Sequence, residues 1–157
     1  MALLIQVSYT NPNLFHQSLV NDLSNLCITG STQPSSSQLA ELSIKILCNI
    51  STEVDSAIKV LGTSGHDERQ PQGLQAIYHS ILSESPNSVK FGLGTIQNYL
   101  QLISKNKIIK KKDMQDLIDL MGMTDGYNHL MMAMKNACVN NGEESVVYAL
   151  KIIINIA

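Results

Sequence analysis

The residues best equipped for proton transfer form one short run, His66, Asp67, Glu68 and Arg69, where an imidazole stands beside two carboxylates and a guanidinium. General acid–base chemistry uses that combination only when the groups converge on one reacting atom, and four consecutive residues rarely do so. Glycines at 62 and 65 and the polar residues around them mark the run as a solvated surface loop.

Metal and nucleophile chemistry find equally little spacing to work with. His16, His66, His79 and His129 share no ligand spacing with one another or with Cys27, Cys48 and Cys138, and neither Cys-x-x-Cys nor His-x-x-x-His occurs. Each cysteine falls on or beside an apolar helical face, where a buried core thiol is the commoner state. No metal, no cofactor and no catalytic residue is therefore expected, and the chain is not read as an enzyme. Gly92 and Gly94 lack the following lysine of a phosphate-binding loop. The alternative from another class is a small helical enzyme or ligand-binding protein, whose pocket would use Tyr78, His79 or His129.

Lys110, Lys111 and Lys112 are the one basic cluster, yet Asp113, Asp116 and Asp119 follow at once. A net charge of −2 supplies no broad cationic field for phosphates or anionic lipid. A nucleic-acid-associated regulator acting through these lysines is a third reading, disfavoured by that charge balance.

The elements that would position such residues are helical. The chain has 157 residues, 44% hydrophobic and 15% charged, with no Trp and only two Phe, Phe15 and Phe91. An aliphatic mix of this kind suits helix-on-helix packing, and its length suits one domain, 1–157. Three scattered cysteines suggest free thiols in a reducing, cytoplasmic setting. The apolar opening Met1 to Val7 lacks the features of a signal peptide and reads as a core strand or a first helical turn, with a small β-element over Met1 to Tyr9 as one outcome. No apolar run nears the roughly 20 residues that span a bilayer, so no membrane association is expected.

From Pro12 to Cys27, Phe15, Leu19, Leu23 and Leu26 recur on one helical face. Residues 29–37, rich in Ser and Thr and containing Gly30 and Pro34, read as a flexible connection. Ala40, Ile44, Leu47, Ser51, Val54, Ile58 and Leu61 then alternate spacings of four and three, which predicts a heptad seam over Ser37 to Leu61. The pairs Glu41 with Lys45 and Asp55 with Lys59 support that helix, while Thr52 ahead of Asp55 offers an alternative start for a second one. Pro71 opens a short helix carrying Leu74, Ile77 or Tyr78, and Ile81, which ends at Ser85 and Pro86.

The seam returns over Asn87 to Ile103 as Val89, Leu93, Ile96, Leu100 and Ile103, with Gly92 and Gly94 inside it. Those glycines predict close approach of another backbone or a frayed first turn, and close packing is the preferred reading. Helices follow from Asp113 to Met121 and from Tyr127 to Cys138. The last helix, with Asn141 and Glu144 at its start, has the stripe Val146, Leu150, Ile153 and Ala157 and is apolar almost all round.

Leu42 to Ser51 and Val146 to Ala157 both end in Asn-Ile followed by a small residue, and each resembles the innermost helix of an armadillo-type repeat. The two segments cover about a seventh of the chain with no matching copy between them. The resemblance implies a superhelical stack whose concave face binds peptide or protein.

The expected fold is thus all-α, a compact bundle of six to eight helices with armadillo- or HEAT-like stacking as a variant. The expected function is a protein–protein interaction module, an adaptor, chaperone-like binder or assembly subunit, whose partner is another protein or a second copy of itself. Its apolar faces exceed what one small core needs, and the surface expected to make contact comprises Met131, Met134, Val146, Leu150, Ile153 and Ile154.

Overall fold

In the computed structural model the described residues are 1–61, 72–105 and 142–156, with the single helical positions 132, 135 and 139. They fold as an all-α bundle of seven α-helices: α1 (Ala2–Thr10), α2 (Gln17–Thr32), α3 (Ser37–Ile50), α4 (Val54–Leu61), α5 (Gln72–Ile81), α6 (Pro86–Lys105) and α7 (Gly142–Ile156). No strand occurs among the described residues, and none of their helices is long and apolar enough to cross a membrane. The helices expected over 113–121 and 127–138 lie outside the described residues.

Aliphatic residues spaced three and four apart give α6 its inward face. Val89, Leu93, Ile96 and Leu100 are buried as the seam predicts, and α6 packs against α3, α5 and α7. Its start is built from side chains. Pro86 occupies the first helical position, Ser85 Oγ accepts a hydrogen bond from the Ser88 amide (3.3 Å), and Ser85 Oγ donates to Glu41 Oε2 (2.9 Å). Asn87 Nδ2 donates to the other Glu41 oxygen at 2.9 Å, so a carboxylate on α3 clamps the N-terminus of α6.

Glu41, Lys45 and Lys59, from the i,i+4 pairs expected to stabilise the seam helix, make tertiary contacts. Glu41 faces Ser85 and Asn87, and Lys45 Nζ lies 5.6 Å from the Phe91 ring centroid. Lys59 Nζ donates to the Phe15 carbonyl at 3.2 Å. Contacts between helices satisfy these groups better than a solvated pair worth a few tenths of a kcal/mol.

The long helix expected over Ser37 to Leu61 is broken at residues 51–53 into α3 and α4. Ser51 Oγ and Thr52 Oγ1 donate back to the carbonyls of Cys48 (2.7 Å) and Asn49 (2.8 Å), and Asn98 Nδ2 on α6 donates to the Cys48 carbonyl at 3.0 Å. Carbonyls at a helix end need such partners, and their supply stabilises the stop. Beyond the break the buried face changes phase: Ser56, Ala57, Val60 and Leu61 turn inward, whereas the seam positions Val54 and Ile58 are only partly buried.

The opening segment is helical, not extended. Leu4, Ile5 and Val7 of α1 pack on the core beside α3, and Ser8 Oγ accepts a 3.0 Å hydrogen bond from Asn49 Nδ2. Between α2 and α3 the expected connection over 29–37 is largely helical, because α2 runs to Thr32 and Pro34–Ser36 forms a 3-10 turn. A Cβ on Gly30 would stand 2.7 Å from the Ser36 carbonyl oxygen, so this tight hairpin needs glycine there.

Candidate functional site

Four helices leave a cleft of about 450 Å³ between them. Tyr9 reaches it from the end of α1, and Cys48, Asn49 and Thr52 come from the end of α3 and the break behind it. Lys90, Phe91 and Asn98 line it from two successive stretches of α6, and Glu144 and Tyr148 from the first turns of α7. Gly94 sits at the junction of α3, α6 and α7: a Cβ there would lie 3.0 Å from Cys48 Sγ and 3.7 Å from the Tyr148 ring.

The cleft is polar on one side and aromatic on the other. Lys90 forms an ion pair with Glu144 that ties α6 to α7, and the Lys90 Nζ lies 5.5 Å from the Phe91 ring centroid. The hydrogen bond to the Glu144 carboxylate holds the Lys90 ammonium above its ordinary pKa. Burial raises the Tyr148 hydroxyl above its own ordinary value. Asn49 and Asn98 turn their amide nitrogens into the protein, toward Ser8 Oγ and toward the Cys48 carbonyl and Ser51 Oγ.

The cysteines are poor nucleophiles in this setting. Burial pushes the Cys48 thiol up to about 11, against the lowering effects of Thr95 and Lys90. Burial does the same to Cys27, also to about 11, where Sγ shares a 3.0 Å hydrogen bond with Ser80 Oγ. At neutral pH such thiols carry almost no thiolate, the reactive form. Cys138 lies outside the described residues, as do His66 to Arg69, His129 and Lys110 to Lys112. Among the described residues no three His, Cys, Asp or Glu side chains are grouped to hold a metal ion.

Tyr78 and His79 are neighbours on α5 with their rings edge to face, centroids 5.9 Å apart, and neither lines the cleft. The residues that do line it escaped the sequence reading because they come from four helices, and no spacing along the chain brings them together.

The expected contact surface is divided. Met131 and Met134 lie outside the described residues. On α7, Val146 is half-buried, and Leu150, Ile153 and Ile154 are 52%, 42% and 75% exposed. The inward stripe is Ser145, Ala149 and Ile152, one position away from the expected Val146, Leu150 and Ile153. Small residues at 145 and 149 let α7 lie close to α6, and the larger aliphatic side chains are left outside. Val147, 45% exposed, joins Leu150 and Ile154 at spacings of three and four to form one outer face.

No protein family, curated protein or solved structure matches this chain, so the cleft and the outer face of α7 are the ground for a functional reading.

Proposed function

We propose that this chain is a protein–protein interaction module whose contact surface is the outer face of α7. The supporting observation is the set Val147, Leu150, Ile153 and Ile154, each more than two-fifths exposed on a helix whose opposite face is locked into the core. Contiguous exposed aliphatic side chains on a rigid element are the usual mark of a contact surface, because their hydration is unfavourable by about 25 cal/mol per Å². The partner is a second copy of the chain or another protein that presents an apolar face.

Light scattering across a concentration series into the high micromolar range tests the reading. Reversible association is expected, and the double substitution Leu150→Glu with Ile154→Glu abolishes it while the helical circular dichroism stays unchanged. A species that remains strictly monomeric throughout counts against self-association through α7.

A further inference from the structure

The geometry points to the cleft between α1, α3, α6 and α7 as a binding site for a small organic anion, a carboxylate carried on a flat aromatic body. The inference does not rest on the outer face of α7, and substitutions there leave it untouched.

Charge selects the sign of the ligand. Two ammonium groups flank the Phe91 ring, Lys45 at 5.6 Å and Lys90 at 5.5 Å, and of these Lys90 lines the cleft and is paired with Glu144. Glu41 on α3 accepts hydrogen bonds from Ser85 and Asn87. Within the cleft's ion pair Lys90 is the less exposed partner, so the ammonium is the fixed charge a ligand meets, and it favours a carboxylate over an amine.

Glu144 shows what the site accepts. Its side chain is 70% exposed and stands in the first turn of α7, yet it reaches across to Lys90, whose side chain is 29% exposed. A largely exposed carboxylate on Lys90 stands where a ligand carboxylate would, an occupant supplied by the chain itself. A ligand carboxylate can replace it at small cost, since exposed ion pairs contribute little. The Tyr9 and Tyr148 hydroxyls add hydrogen-bond donors to the lining. The rings of Tyr9, Phe91 and Tyr148 supply the apolar walls, and a volume near 450 Å³ suits a molecule of one or two rings.

The test is a nuclear magnetic resonance titration of the full chain with 3-phenylpropionate, using 3-phenylpropylamine as the charge-reversed control. The carboxylate is expected to shift resonances of Tyr9, Phe91 and Tyr148, and the amine is not. Lys90→Gln weakens binding about tenfold, the usual loss for one charge-assisted hydrogen bond. Glu144→Gln, at an exposed position that folding tolerates, tightens it about threefold by removing the competitor. The proposal is overturned if the carboxylate produces no shifts at these rings, if the amine binds as well, or if Glu144→Gln fails to tighten binding. Should Lys90→Gln disturb the fold, the Glu144 variant alone decides.

Discussion

Gly94 on α6 faces Cys48 on α3 so closely that an added Cβ would stand 3.0 Å from the sulfur. This approach brings α3 and α6 together at the floor of the cleft. Alanine at position 94 would gain about 1 kcal/mol of helix propensity and lose a comparable amount to crowding. Gly94→Ala is therefore expected to unfold in urea close to wild type, and Gly94→Leu to cost about 1–3 kcal/mol. In a Cys48→Ala background the same alanine substitution becomes stabilising, a sign change that a double-mutant cycle reads directly.

The thiols make stability fall in alkali. Cys27 and Cys48 titrate near 11 in the folded chain against an ordinary 9.0. Below about pH 9 both are protonated in folded and unfolded chains, and their contribution is fully present. As pH rises from about 9 to about 11 the unfolded chain releases protons that the folded chain keeps, so stability drops, by up to about 3 kcal/mol per thiol. Urea midpoints measured across that window should decline, and the Cys27→Ala variant should decline less steeply.

Ser43 is fully buried on α3, and its hydroxyl has no hydrogen-bond partner among the described residues. A desolvated hydroxyl without a partner is unfavourable, and alanine is the better helix former. Ser43→Ala should raise stability by about 0.5–1 kcal/mol, read as a higher urea midpoint with an unchanged slope.

On α7, neighbouring isoleucines should respond very differently to truncation. Ile152 is completely buried and Ile154 is 75% exposed. Ile152→Ala is expected to cost about 2–5 kcal/mol, whereas Ile154→Ala stays within about 0.5 kcal/mol. Thermal melts of the two variants check this, and equal losses would place Ile154 in a packed interface.

The sequence by itself determined the class and most of the interior. Spacings of three and four put Ile44 and Leu47 on α3, Leu74, Ile77 and Ile81 on α5, and Val89 through Leu100 on α6 into the core, because a helical face set by period alone survives into any packing. The close approach of another backbone predicted from Gly92 and Gly94 is found at Gly92, where a Cβ would stand 3.4 Å from the Ile81 nitrogen, whereas Gly94 is met by the side chains of Cys48 and Tyr148. The sequence offered two outcomes for the long seam, one helix or a second start at Thr52, and the tertiary structure decided for the break, where Asn98 of another helix donates to the Cys48 carbonyl and Ser51 Oγ. It also chose the inward face of α7. A helix apolar on nearly every side has no preferred face of its own, and the choice of Ser145 and Ala149 over Val146 and Leu150 came from how closely α6 could approach. The cleft belongs to the same category: Tyr9, Lys90, Phe91 and Glu144 are brought together by packing between helices distant in the chain.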